Sequence, residues 1–74
     1  MYQAALALED SGKAADSVRI YRRAARAGSG QAAKRLGDIF DKGAPGVGRD
    51  YAESLQWYQA ARDLGVNVDA YEKR

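Results

Sequence analysis

With 74 residues, a mass of 8.0 kDa and a formal net charge of +2, the chain has room for one small domain and not for two. A domain of this size buries only ~60% of the surface its unfolded chain exposes, so its core is thin. Cysteine and histidine are both absent, which excludes a disulfide staple, a thiolate nucleophile, a zinc–sulfur site, and the commonest general base and metal ligand.

The rest of the composition favours helix. Alanine is the commonest residue, at 15, and proline occurs once, at Pro45. The β-branched residues are only Val18, Ile20, Ile39, Val47, Val66 and Val68, with no threonine, where a strand-rich domain would want more. No run of ~18 apolar residues is present to span a membrane. No basic region followed by a long apolar stretch marks a signal peptide at the N-terminus.

Glycines punctuate the chain into four helical segments. The first is expected from Tyr2 to Asp10, with Ala4, Ala5 and Leu8 on one side and Gly12 at a helix-stop position. The second is expected over 14–27, with Val18, Tyr21, Ala24 and Ala25 as its apolar stripe, and Gly28-Ser29-Gly30 ends it. The third is expected over 31–42, with Ala33, Leu36, Gly37, Ile39 and Phe40 inward. Gly43-Ala44-Pro45-Gly46-Val47-Gly48 then reads as a loop. Asp50 caps the fourth segment, and Glu53 three residues on comes close to a capping box. Its expected stripe is Tyr51, Ala52, Leu55, Tyr58, Ala61 and Leu64, with Gly65 as the stop; Asp69 could start another short helix.

The chain repeats itself. Ala15-Asp16-Ser17-Val18-Arg19-Ile20-Tyr21 aligns with Ala52-Glu53-Ser54-Leu55-Gln56-Trp57-Tyr58 at an offset of 37, which also pairs Ala24 with Ala61 and Gly28 with Gly65. Ala5 and Leu8 align with Gly37 and Phe40 at an offset of 32, the extra residues falling in the 43–49 loop. Two copies of one helix–turn–helix unit follow. The small residues at Ala5, Gly37, Ala24 and Ala61 let helices approach, and Leu8, Tyr21, Phe40 and Tyr58 fill the space beside them. One hairpin cannot bury its own apolar face, so the copies stack.

Leu36-Gly37-Asp38-Ile39-Phe40-Asp41-Lys42-Gly43, Gly46-Val47, Asp50-Tyr51-Ala52, Trp57-Tyr58-Gln59-Ala60-Ala61 and Gly65 together resemble a Sel1-like repeat. The departures are Phe40 for the usual tyrosine, Ser54 for an alanine, and one added residue between Gly43 and Gly46. The first copy, with its short Gly12-Lys13 turn, is similar to a degenerate tetratricopeptide repeat, departing at Ala14 and Ser17. The organisation expected is a single all-α domain over 1–74: a tetratricopeptide-like repeat over 2–29, a Sel1-like repeat over 30–65, and a tail or partial capping helix over 66–74. The resemblance implies a right-handed α-solenoid that binds a protein or peptide through a concave face, as part of a larger, bacterial protein.

By position, the resemblance lines that groove with Tyr2, Leu6, Glu9 and Asp10 from the first copy and Gln31, Lys34, Arg35, Asp38, Asp41 and Lys42 from the second. The competing view, a plainly solvated helix face, is the more frequent outcome for any one of these residues. One variant of the family grips a peptide carboxylate with paired Lys and Asn. Asp38 stands where that Asn would be, next to Lys34, and an acidic group there repels the carboxylate.

Arg19, Arg22, Arg23 and Arg26 form a basic stripe on the second segment, and residues 19–35 carry six positive and no negative charges. Such a stripe suits phosphates of nucleic acid or of an anionic surface. No aromatic residues interleave with the arginines, so an outward solvated face opposite Val18, Tyr21 and Ala25, or contact with a partner's acidic patch, is the favoured reading. Catalysis has little to stand on. Ser11, Ser17, Ser29 and Ser54 lack a histidine to activate them, and Asp38 with Asp41 on one exposed face would stay ionised. The Gly43 to Gly48 segment lacks the Gly-Lys-Ser/Thr of a phosphate-binding loop. Trp57 and Tyr58 are expected to pack between helices. No enzyme activity, cofactor, metal site or small-molecule substrate is expected. Compartment and oligomeric state are left open.

Overall fold

A computed structural model describes residues 1–68, and the segment from Asp69, where a further helix was allowed, lies outside the described residues. The order is α1 (Tyr2–Asp10), α2 (Ala14–Arg26), α3 (Gly30–Lys42) and α4 (Tyr51–Asp63). Among the described residues there is no strand, only an isolated antiparallel bridge between Ala44 and Val47 in the α3–α4 loop. The chain is all-α: α1 and α2 form one hairpin, α3 and α4 a second, and α2 packs on α3 between them.

Three helix ends are built alike. After α2, the Ser29 N–H donates to the Ala24 carbonyl (2.9 Å) and the Gly28 N–H to Ala25 (3.0 Å). After α4, Val66 donates to Ala61 (2.9 Å) and Gly65 to Arg62 (2.9 Å). After α1, Lys13 donates to Leu8 and Gly12 to Glu9. This crossed pair of bonds satisfies carbonyls that a helix end leaves orphaned, and it needs a left-handed residue at its centre. Gly28 and Gly65 supply it, with φ of 105° and 90°. The two glycines stand 37 residues apart, and Gly12, with φ of 80°, serves the end of α1 in the same way.

The helix starts follow from side-chain caps. Ser29 Oγ accepts from the Ala32 N–H at 3.2 Å and opens α3 at Gly30, one residue ahead of the expected start. Asp50 Oδ1 accepts from the Glu53 N–H at 3.1 Å and opens α4. The capping box is only half made. The Asp50 N–H goes to the Phe40 carbonyl instead, tying the end of the loop back onto α3, and the Glu53 carboxylate is spent elsewhere.

The core runs through all four helices: Ala5 from α1, Val18, Tyr21, Ala24 and Ala25 from α2, Ala32, Ala33, Leu36, Ile39 and Phe40 from α3, and Ala61 from α4. Tyr21 and Tyr58, at equivalent places in the two hairpins, are the largest fully buried side chains. Gly37 explains the closeness of α3 and α4. A Cβ there would lie 2.5 Å from Cδ1 and Cε1 of Tyr58, well inside van der Waals contact. Beyond Gly65 the chain folds back on the start of α3, where a Cβ on Gly30 would meet Val66 Cγ2 at 2.5 Å, and Val68 is fully buried.

Two stripes differ from expectation. Ala4 is exposed, and Ala5 alone is the buried residue of α1. On α4, Tyr51, Ala52 and Leu64 face solvent, and the buried line is Ser54, Tyr58 and Ala61. The small Ser54 and Ala61 flank the large Tyr58 one turn to each side, so steric fit against α3, not hydrophobicity, selects the inward face of α4.

Candidate interaction surfaces

α1 and α3, the first helices of each hairpin, carry the side chains expected to line a groove. The structure spends several of them internally. Arg35 on α3 reaches Glu9 on α1 with a two-pronged pair, Nε to Oε1 at 2.9 Å and Nη2 to Oε2 at 2.8 Å. The Tyr21 hydroxyl donates to the same carboxylate at 2.7 Å. A planar guanidinium matched to a carboxylate fixes both distance and orientation, so this pair ties α1 to α3, which otherwise packs on α2 and α4. Burial pushes the Glu9 carboxyl up, but the hydrogen bonds from Arg35 and Tyr21 and the Arg35 charge outweigh it and hold Glu9 below the usual carboxylate range. Burial, and then the Glu9 carboxylate it donates to, push the Tyr21 phenol up. The hydrogen bond to Glu9 pushes the Arg35 guanidinium up, against its own burial.

Hairpin 2 repeats the theme. The Tyr58 hydroxyl donates to Asp38 Oδ1, and Lys34 Nζ lies 3.6 Å from Asp38 Oδ2. Each buried tyrosine of a second helix therefore ends on a carboxylate of its first helix, as a buried phenol requires. Asp38 is thus engaged by both Tyr58 and Lys34.

The remaining groove residues divide. Tyr2 and Leu6 are partly buried against the core, and the Tyr2 ring meets the Tyr21 ring at 5.9 Å between centroids. Asp10, Gln31 and Lys42 are exposed, and Asp41 is half-buried with its carbonyl accepting from Arg49 Nε. Glu9, Arg35, Asp38 and Lys42 border a small hollow of about 190 Å³ on this side, floored by Ile39.

The basic stripe is not uniform. Arg22 leaves it: its Nη2 pairs with Glu53 Oε1 on α4 at 2.7 Å and its guanidinium lies 5.8 Å from the Phe40 ring centroid. Trp57 Nε1 donates to the same Glu53 oxygen at 3.3 Å. The expectation of an outward face fails for this one arginine, because α2 turns it toward hairpin 2, where a carboxylate and a ring meet it. Arg19, Arg23 and Arg26 are exposed; Arg19 has a loose pair with Asp16 at 3.5 Å, and Arg23 and Arg26 pair with no side chain among the described residues.

Two ion pairs thus join like helix to like helix, α1 to α3 through Glu9–Arg35 and α2 to α4 through Arg22–Glu53. Glu9 and Arg35 are expected on the groove, Arg22 on the basic stripe and Glu53 in a capping box, and neither pair is among the expectations. The available signal was position: Glu9 follows Leu8, Arg22 follows Tyr21, Arg35 precedes Leu36 and Glu53 precedes Ser54, so each flanks an inward residue. Among the described residues no three Asp, Glu, His or Cys side chains group to hold a metal ion, and no helix is long and apolar enough to cross a membrane. No family model matches the chain, and no curated protein or solved structure matches it.

Proposed function

We propose that the chain is a non-catalytic protein-binding module, an adaptor within a larger protein, built from two stacked repeats of the Sel1-like and tetratricopeptide-like kind in right-handed succession. The observation that carries this reading is the recurrence of structure at the 37-residue offset: the α2 and α4 ends close with the same crossed pair of bonds, and Tyr21 and Tyr58 are both fully buried. Structure repeated at this level belongs to units that stack one on the next and offer an extended side for binding. On that side Lys42 is exposed at the rim of the hollow floored by Ile39, and Asp10 and Gln31 are exposed elsewhere on α1 and α3.

The test compares what co-purifies with the full-length protein from its native host when the domain is intact, deleted, or carries Gln31→Glu with Lys42→Glu. Both substitutions fall on exposed side chains and leave Glu9, Arg35 and Asp38 in place. A co-purifying protein lost on deletion and on the double change supports the reading. An unchanged set of proteins on deletion makes the domain a spacer. Asp38→Lys is unsuitable as a probe, because it would strip the acceptor from the buried Tyr58 hydroxyl.

A further inference from the structure

The repeat supplies an internal precedent for a second surface. On hairpin 2, Phe40 and Glu53 meet hairpin 1, Arg22 of α2 pairing with Glu53 over Phe40; Trp57, which donates to the same Glu53 oxygen, and Ala60 lie beside them on α4, partly buried against the core. The same offsets give the matching residues on hairpin 1 as Leu8, Asp16, Ile20 and Arg23. These residues, with Arg19, line a groove of about 410 Å³ between α1 and α2. Leu8 and Ile20 are half-buried at its floor, while Asp16, Arg19 and Arg23 are exposed at its rim. The volume is in the range of a site that accepts side chains from a ligand or partner.

The two seats differ in sign. Positions held by Gln56 and Ala60 on hairpin 2 are held by Arg19 and Arg23 on hairpin 1. Asp16, the counterpart of Glu53, is already approached by Arg19. Arg26, one turn beyond Arg23 on α2, adds a third exposed guanidinium. A basic helix fits the seat on hairpin 2; the seat on hairpin 1 repels one. We propose that the Leu8–Ile20 groove docks an acidic amphipathic helix of another protein, its apolar face on Leu8 and Ile20 and its carboxylates on Arg19, Arg23 and Arg26. The shape follows from the helix already seated on the equivalent face, and the charge from Arg19 and Arg23, which replace the neutral Gln56 and Ala60 there, and from Arg26, which replaces Asp63. Arginine suits this task because its fork binds carboxylates in two-pronged fashion.

The groove lies on the α1–α2 hairpin, apart from Gln31 and Lys42, so the proposal stands or falls separately from the one above. The test uses the 74-residue protein and a fluorescent helical peptide of about 18 residues composed of Leu, Ala and Glu, a length at which an isolated helix becomes tenable. Its controls are a Gln-for-Glu counterpart and a short DNA duplex, all read by anisotropy at low salt. The expected result is binding of the acidic peptide that weakens about tenfold or more when Glu becomes Gln, as loss of charge-assisted hydrogen bonds requires. Arg23→Glu and Ile20→Ser should each weaken it by a similar factor, and Lys42→Glu should leave it unchanged. Arg23→Glu alters an exposed residue, so it decides the matter even if Ile20→Ser unfolds. Equal affinity for the Glu and Gln peptides overturns the proposal. So does DNA binding that competes with the peptide and ignores Ile20→Ser, or self-association in sedimentation equilibrium that Ile20→Ser abolishes, which would make a second copy the occupant.

Discussion

Hairpin 1 turns tightly through residues 11–13, while hairpin 2 needs the loop 43–50, yet the second hairpin has the more extensive interface. Two things differ: α1 has 9 residues where α3 has 13, and one facing position changes from alanine to glycine. Where α1 has Ala5, α3 has Gly37, and the Tyr58 ring lies directly on the backbone that the missing Cβ uncovers. The loop is then held at both ends: the Gly43 N–H donates to Ile39 and the Asp50 N–H to Phe40. Helix length and close approach, rather than turn length, favour the second hairpin, because contact area between helices grows with their length and as their axes near while loop closure changes slowly with length.

The sharpest break of this comparison is Gly37→Ala. Alanine has the higher helix propensity by up to ~1 kcal/mol, so an exposed site would gain. Here the new methyl strikes a ring that is 1% exposed and has nowhere to go. We expect a net loss of about 2 kcal/mol from overpacking, read as a lower urea midpoint. The counterpart Ala5→Gly should lose about 1.5 kcal/mol, the cost of glycine in a helix plus one buried methyl, with no clash involved. A higher midpoint for Gly37→Ala would mean that α3 and α4 do not pack through this contact.

The next contrast concerns the ion pairs. Glu9 receives Arg35 through both oxygens and Tyr21 as well, while Glu53 receives one nitrogen of Arg22 and the Trp57 N–H. The Arg35 and Tyr21 hydrogen bonds and the Arg35 charge hold Glu9 below its ordinary value against its burial. A carboxyl whose folded value lies below its unfolded one stabilises the fold above the unfolded value, near ~4.3, and that stabilisation is lost as pH falls through the folded value. Glu9→Gln should therefore lower stability by about 1–2 kcal/mol at neutral pH, given the partial exposure of Arg35. It should also flatten the fall in melting temperature on the acid side of pH 5. Melting curves at neutral and acid pH check this, and an acid-side slope equal to that of the unchanged protein would show that the pair is not formed in solution.

These contrasts also show what the sequence could and could not reveal. Glycine and alanine at helical spacing, a capping Asp50 and a 37-residue self-match locate the four helices, because each is a local signal or a repeat of one. The inward face of α4 was misjudged because hydrophobicity ranks Tyr51 and Leu64 above Ser54, while packing against α3 ranks fit first. The role of Glu9, Arg22, Arg35 and Glu53 is set by which helix lies opposite, a long-range fact that spacing along one helix does not encode. For the candidate site, the basic stripe was legible as a run of charge, but its division into one inward and three outward arginines depended on where hairpin 2 sits.

The smallest expected effect separates two serines at equivalent places. Ser17 Oγ donates to the Ala14 carbonyl at 2.7 Å and is fully buried. Ser54, 37 residues on, is also fully buried, but its Oγ finds no partner among the described residues. A buried hydroxyl without a partner loses its hydration for nothing, whereas one with a partner recovers most of it. Alanine fits either space and raises helix propensity slightly. Ser54→Ala should therefore stabilise the domain by roughly 0.5–1 kcal/mol, and Ser17→Ala should be neutral or destabilise it by a similar amount, as loss of a buried hydrogen bond does. Thermal melts of the two variants side by side measure the sign. If Ser54→Ala instead destabilises, the hydroxyl has a partner in the folded protein, and the small residue between Asp50 and Tyr58 is there to be bonded as well as to make room for the α3–α4 approach.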